Sequence, residues 1–266
     1  MAEPLYPSLY QVNTRVWLTE LSRTLDLGRP ATLDDIPDAE LDRLARMGFD
    51  WVWFLSVWQT GPAGQQISRS NSEWRREFER TLPDLCEEDI AGSGFAITSY
   101  TVPPGLGGDA ALARLRERLR ARGLRLMLDF VPNHTALDHP WVEHHSEYYV
   151  GGTDLELERA PQNYTWVNRA QGNLLFAHGR DPYFPGWPDT KRISPHLIRA
   201  PSEPADAMLQ RFYDGLLAVL RQSVVRDVQW RLLNCAPAWD GNWTSDCFIA
   251  WSWQGGDGQR WLVAVN

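Results

Sequence analysis

One carboxylate, one amide and one imidazole crowd the end of a single apolar run. They are Asp129, Asn133 and His134 in LRLMLDFVPNH (124–134). Together they offer a strong acceptor, a group that both donates and accepts, and a ring with one donor and one acceptor nitrogen. That mixture suits the hydroxyls of a sugar. The same three residues would also serve as a plain polar strand end, with Asp129 capping a turn and His134 exposed. Both readings stay open on composition alone.

The elements around them follow a βαβ rhythm. Residues 10–18 (YQVNTRVWL) are rich in β-formers and predict a first strand. IPDAELDRLARMG (36–48) predicts a helix, with Pro37 in its first turn and Gly48 at its end. FDWVWFLSVW (49–58) is the near-continuous apolar run of a strand buried on both faces. Residues 61–93 read as polar and irregular, with one short helical piece from Trp74 to Leu82, and 94–102 as a short extended segment. GDAALARLRERLRARG (108–123) is an amphipathic helix, and LRLMLDF (124–130) a third strand. The segment 131–194 has little periodicity and much His, Pro, Trp and Tyr, which in a compact domain marks a functional loop. EPADAMLQRFYDGLLAVLRQ (203–222) predicts a helix with Met208, Phe212, Leu216 and Leu220 along one stripe. Short strands follow at 228–234, 248–254 and 260–266, the last two joined by a GGDG turn (255–258).

Alternating strands and helices imply a parallel sheet with right-handed crossovers. Ligands then bind at the carboxyl ends of the strands, where Asp129, Asn133 and His134 lie. The fold class expected is α/β: an incomplete (β/α) barrel of about three parallel strands with helices, followed by a C-terminal antiparallel β region. Two units are expected, 1–195 with the long loop 131–194, and 196–266 with a helix and a shortened β-domain.

D-x-V-x-N-H after an apolar strand, here Asp129, Val131, Asn133 and His134, resembles the first shared sequence region of the alpha-amylase family of glycoside hydrolases. YQVNTRVW (10–17) and GFDWVWFLSVW (48–58) resemble that family's first two strands, and GFAITSYTVPPGLGG (94–108) the segment before its next helix. In the last, Phe95 stands where a tyrosine usually stacks on sugar, and Ser99 and Pro103 stand where aspartates are usual. AHGRDPYFPGWPDT (177–190) resembles a stretch leading to the fourth strand in one bacterial branch. The resemblance implies a glycosidase scaffold for α-glucosidic bonds of starch-like or maltooligosaccharide substrates. It implies sugar binding by His134 and Phe95, support by Asn133, and an arginine held by Asp129. In some members the residue matching Asn133 binds calcium, so calcium near Asn133 is the one cofactor implied.

The family's nucleophilic Asp lies in a G-x-R-x-D pattern, its acid Glu follows strand five, and a third Asp stands in a His-Asp pair. None of these patterns occurs in this chain. A complete barrel takes roughly 250 residues, and three strands are already spent by His134. The expectation is a family member without the central part of its barrel, joined near 191–201. It would be a hydrolase by descent using other carboxylates, a non-catalytic carbohydrate-binding or vestigial protein, or a different activity on the shortened scaffold. Asp138, Glu143, Asp181 and Asp189 are the other loop carboxylates. His139, His144, His145 and His178 raise a metal cluster as a minor reading, without a recognised ligand spacing. Trp141, Trp166 and Trp187 offer indole faces.

The net charge of -8 argues against nucleic acid. Three cysteines without a C-x-x-C pair argue against zinc or a disulfide framework. No signal-like or membrane-spanning run is read, so a cytoplasmic setting is expected. Open sheet edges predict a homo-oligomer.

Overall fold

The computed structural model describes residues 4–178, 196–256 and 258–266. Strand β1 (Leu9–Asn13) is followed at once by α1 (Thr14–Thr24), then by α2 (Asp38–Arg46) and β2 (Trp51–Leu55). A two-residue strand β3 (Gln59–Thr60) leads to α3 (Pro62–Ser70), α4 (Ser72–Thr81) and β4 (Ile97–Ser99). Then come α5 (Gly108–Arg120) and β5 (Arg125–Leu128). Strands β1, β2 and β5 form a parallel sheet in that order, with Val12 beside Phe54 and Phe54 beside Leu128. Beyond it lie α6 (Pro140–His144), α7 (Asp154–Arg159) and an antiparallel hairpin of β6 (Tyr164–Val167) and β7 (Leu174–Ala177). The chain continues with α8 (Ala207–Leu220), α9 (Ser223–Arg226), β8 (Trp230–Leu233), β9 (Ile249–Gln254) and β10 (Arg260–Val265). The last three strands make an antiparallel sheet in the order β10-β9-β8. The expected parallel start and antiparallel end are therefore both present.

The core lies between the parallel sheet and the helices that cross it. Val52 and Phe54 from β2 meet Leu41 and Leu44 from α2 and Ala111, Leu115 and Leu119 from α5, all fully buried. Apolar burial of this kind drives folding, at roughly 25 cal/mol per Å² removed from water. Outside this contact ion pairs of equal spacing lace the segment 34–42, which leads into α2, to the segment 114–122, which ends α5. Arg114 pairs with Asp34, Arg118 with Asp38 and Arg122 with Asp42. Such exposed pairs set the register of two neighbouring segments more than they add stability.

Three expectations need correction. The first strand ends at Asn13, not residue 18, because the Asn13 side chain accepts from Val16 N and starts α1, whose Leu18 and Leu21 face the core. The stretch 61–93 holds two helices rather than one, the extra one being α3, with Pro62 in its first turn. The loop 131–194 is not structureless in its described part, which holds α6, α7 and the β6–β7 hairpin.

The segment that follows the undescribed residues is firmly seated. Leu197 is fully buried with Phe78, Leu82 and Ile90. His196 Nδ1 lies 2.8 Å from Ser68 Oγ, and its ring packs on Trp74 and Phe78. Arg199 grips the buried Asp89 with Nε and Nη2, at 2.5 and 2.6 Å, and Asp84 at 2.8 Å. Burial pulls the Asp89 carboxyl upward, but Arg199 and the Cys86 amide outweigh it and hold it at about 2. A carboxyl depressed in the fold contributes stability above its unfolded value, and that contribution is lost as pH falls. Arg199→Ala is therefore expected to destabilise the chain by about 3 kcal/mol at neutral pH. It should also flatten the loss of stability between the ordinary Asp value of 3.8 and about 2. Urea denaturation at several pH values checks both.

Candidate functional site

The carboxyl edge of the parallel sheet gathers the predicted residues, and Asp129 is its anchor. It follows β5 and is buried. Its Oδ1 accepts from Trp53 Nε1 at 2.9 Å, its Oδ2 from the Ser56 amide at 2.7 Å, and its own carbonyl from Trp58 Nε1 at 2.7 Å. Burial pushes the carboxyl above its usual range, and the two bonds it accepts pull the other way. The resemblance implies an arginine beside Asp129; among the described residues the donors that reach its carboxylate are an indole and a main-chain amide. Both carboxylate oxygens are engaged from the β2 side, by Trp53 of β2 and by Ser56 just past its end.

Ser56 sits at φ 67°, in the left-handed region that few non-glycine residues adopt. Its hydroxyl occupies the space next to Gly94, where an added Cβ would stand 1.8 Å from Oγ. Gly94 is therefore required for the close approach of the Phe95 segment. Arg15, at the start of α1, ties the same segment down through Nη1 to the Gly92 carbonyl and Nη2 to Thr60 Oγ1. Burial lowers its guanidinium to about 10.

Phe95 is half-buried, while Asn133 and His134 are exposed on the loop after β5. That loop is held against β4 by the Ala136 amide, which donates to the Ile97 carbonyl at 3.1 Å. His134 comes beside the Phe95 main chain. Desolvation there lowers the imidazole below its ordinary value, and the Phe95 main chain acts in the opposite direction. The structure thus brings His134, Phe95 and Asp129 to one edge, with Asp129 beneath the surface and His134 on it.

Two other loop carboxylates bond main-chain amides. Asp138 Oδ2 accepts from the Ala63 amide at 2.9 Å, capping the start of α3 over Gly61. Glu143 accepts from the Ala170 amide at 3.0 Å. Asp181, Asp189 and Trp187 lie outside the described residues. His139 caps α6, His145 stacks on Tyr148 and bonds Glu147, and His178 follows β7. Among the described residues no three His, Cys, Asp or Glu side chains gather as a metal site. Trp141 and Trp166 are exposed, with Trp141 edge-on to Tyr148.

Sequence reasoning missed an aromatic row next to this edge. Trp58 meets Tyr100 edge-on at 5.4 Å, and Tyr100 meets the exposed Phe130 at 6.0 Å. The Tyr100 hydroxyl accepts from the Val131 amide at 2.8 Å. The rings are far apart in sequence, from Trp58 to Phe130, and no local pattern joins them.

Consecutive parallel strands with crossover helices, and a polar loop at their carboxyl edge, define the opening portion of a (β/α) barrel. The chain belongs to the alpha-amylase family, whose catalytic-domain profile matches residues 32–182. Among curated proteins it is 30% identical over 151 residues to an alpha-1,4-glucan:maltose-1-phosphate maltosyltransferase of Cereibacter sphaeroides, covering 54% of this chain and 20% of that protein. It is 29% identical over 150 residues to an alpha-glucosidase of Apis mellifera, covering 50% and 26% respectively. The chain thus spans only about a fifth to a quarter of the length of these relatives. Among solved structures an alpha-amylase from Lactobacillus plantarum aligns with TM-score 0.39 and 23% identity, over 56% of this chain and 28% of that one.

The geometry predicts that Asp129→Ala leaves Trp53 Nε1 and the Ser56 amide without acceptors. The cost should be about 2–4 kcal/mol, from one to two orphaned buried donors. Asp129→Asn keeps one acceptor and should cost less than Asp129→Ala. Urea unfolding of both variants checks this order, and an alanine variant as stable as the native chain would refute the anchoring role.

Proposed function

We propose that this chain binds α-glucan oligosaccharides at the His134–Phe95 edge without hydrolysing them by itself. The observation that carries this is the engagement of Asp129, Asp138 and Glu143 by main-chain and indole donors. Retaining glycosidases need two carboxyl groups roughly 5 Å apart and aimed at one bond. What faces outward instead is an imidazole, an amide and aromatic rings, the groups that hold sugars by hydrogen bonds and stacking. The relatives, an alpha-1,4-glucan:maltose-1-phosphate maltosyltransferase and an alpha-glucosidase, support the α-glucan class.

A homo-oligomer belongs to the same reading, since both edges of the β1-β2-β5 sheet are open among the described residues. The setting we infer is cytoplasmic, supported by three free cysteines. No helix among the described residues is long and apolar enough to cross a membrane.

Calorimetric titration with maltooligosaccharides, alongside a reducing-sugar assay, tests the reading. Binding without release of reducing ends is expected, and turnover by the pure chain would overturn it. His134→Ala should weaken binding about tenfold, the worth of one buried hydrogen bond. The pH dependence is a separate check. An imidazole lowered by desolvation stays neutral down to below its ordinary value of 6.5. Binding should therefore hold steady from alkaline pH through that value and weaken only in more acid solution, where the ring charges.

A further inference from the structure

Arg15 is not one of the sugar-facing groups, yet its bonds lead to both of them. It is the second residue of α1, directly beyond the carboxyl end of β1. Its guanidinium bonds in two directions. Nη1 donates to the Gly92 carbonyl at 2.8 Å, and Nη2 to Thr60 Oγ1 at 3.0 Å. Each nitrogen leads to one half of the site. Gly92 lies three residues before Phe95. It is buried at φ 82°, and an added Cβ would stand 2.7 Å from Gln65 N of α3. The stretch that delivers Phe95 is thus gripped between α3 and Arg15 before Gly94 meets Ser56. Thr60 lies in β3, where it pairs with Ile97 of β4. The Ile97 carbonyl accepts from the Ala136 amide, two residues past His134. One planar group therefore connects the segment of Phe95 with the loop of His134 through two short bonded paths.

We propose that Arg15 is a positioning residue for this edge, a spacer that holds the Phe95 segment and the His134 loop at a fixed separation so that one ligand meets both. Its effect on binding rests on the carbohydrate reading above, whereas its effect on the two loops rests on the geometry alone. Two properties suit a guanidinium to the task. It is planar, with donors at fixed angles, so two acceptors bonded to it cannot shift independently. Bonds from an ionised donor are also stronger than neutral ones, more so where water is kept away. Burial lowers this guanidinium to about 10, which leaves it charged at neutral pH. A lysine at the same place would keep the charge and lose the fork. A residue that only anchored α1 would act on that helix and not on the two loops.

Amide exchange of the full chain without ligand, followed by nuclear magnetic resonance, is the first test. Two reporters flank the site: the Ala96 amide, which donates to the Ser93 carbonyl, and the Ala136 amide. Arg15→Lys is expected to speed exchange at both by at least about tenfold, while the amides of β2 keep their protection. Calorimetric titration with maltoheptaose is the second. Arg15→Lys should bind about tenfold more weakly than the native chain, and Thr60→Val, which removes one of the two acceptors, more weakly by a smaller factor. In a Phe95→Ala chain the lysine substitution should weaken binding less than it does in the native chain, because half of what Arg15 positions is gone. Unchanged exchange at Ala96 and Ala136 would overturn the spacer, as would faster exchange throughout β2, the mark of a general loss of stability. An equal loss of affinity in the native and Phe95→Ala chains would overturn the action through Phe95. Loosened loops in a chain that binds no maltoheptaose in any form would support the spacer and overturn the carbohydrate reading, so the two failures are told apart.

Discussion

One buried carboxylate closes the carboxyl edge of the parallel sheet, and much of the site is arranged around it. Asp129 accepts from the indole of Trp53 and the amide of Ser56, and its carbonyl accepts from Trp58. These bonds lock the end of β2 to the end of β5. They also hold Ser56 in a left-handed turn, which in turn needs a residue without a side chain at Gly94. From Gly94 the chain runs to Phe95 and β4, and β4 receives the loop that bears His134 through the Ala136 amide. A single desolvated group thus fixes three loops that are far apart in sequence. Its raised proton affinity is the cost of that burial, partly offset by the two bonds it accepts.

The remaining framework explains why this edge is rigid although the sheet has only three strands. The helices α2 and α5 cover one face with leucines, and the matched spacing of Asp34, Asp38 and Asp42 against Arg114, Arg118 and Arg122 keeps them in register. On the far side the segment of His196, Leu197 and Arg199 closes over α3 and α4 with an apolar plug and a charged clamp. Arg226 and Asp50 add a second tie between the end of α9 and the start of β2. The C-terminal elements are therefore bonded to the parallel-sheet unit through Arg199, Arg221 and Arg226.

Local periodicity made most of the framework legible. The apolar run of β2, the leucine stripe of α5 and the strand leading to Asp129 each carry their own signal. The misreadings have a common cause, since a contact distant in sequence decided each one. TRVWL is rich in β-formers, yet the Asn13 cap and the core-facing Leu18 and Leu21 make it helix. PAGQQISRS has almost no apolar pattern, and its helix is capped by Asp138, which stands 75 residues later. The donors to the Asp129 carboxylate, the Trp53 indole and the Ser56 amide, likewise stand 76 and 73 residues away. The stripe on α8 was legible as amphipathic, but amphipathicity specifies a face and leaves its occupant open.

The division of labour among carboxylates bears on chemistry. A general acid or a nucleophile must keep an oxygen free for the reacting bond. Asp129 has both oxygens engaged, Asp138 caps a helix, and Glu143 holds the Ala170 amide. Freeing any of them would strand a main-chain or indole donor at a cost comparable to a lost buried hydrogen bond. Recruiting such a group for catalysis would therefore weaken the loops that position it. His134 stands on the surface beside the Phe95 main chain. Among the described residues the edge thus presents His134 and Phe95 beside carboxylates that already bond main-chain and indole donors.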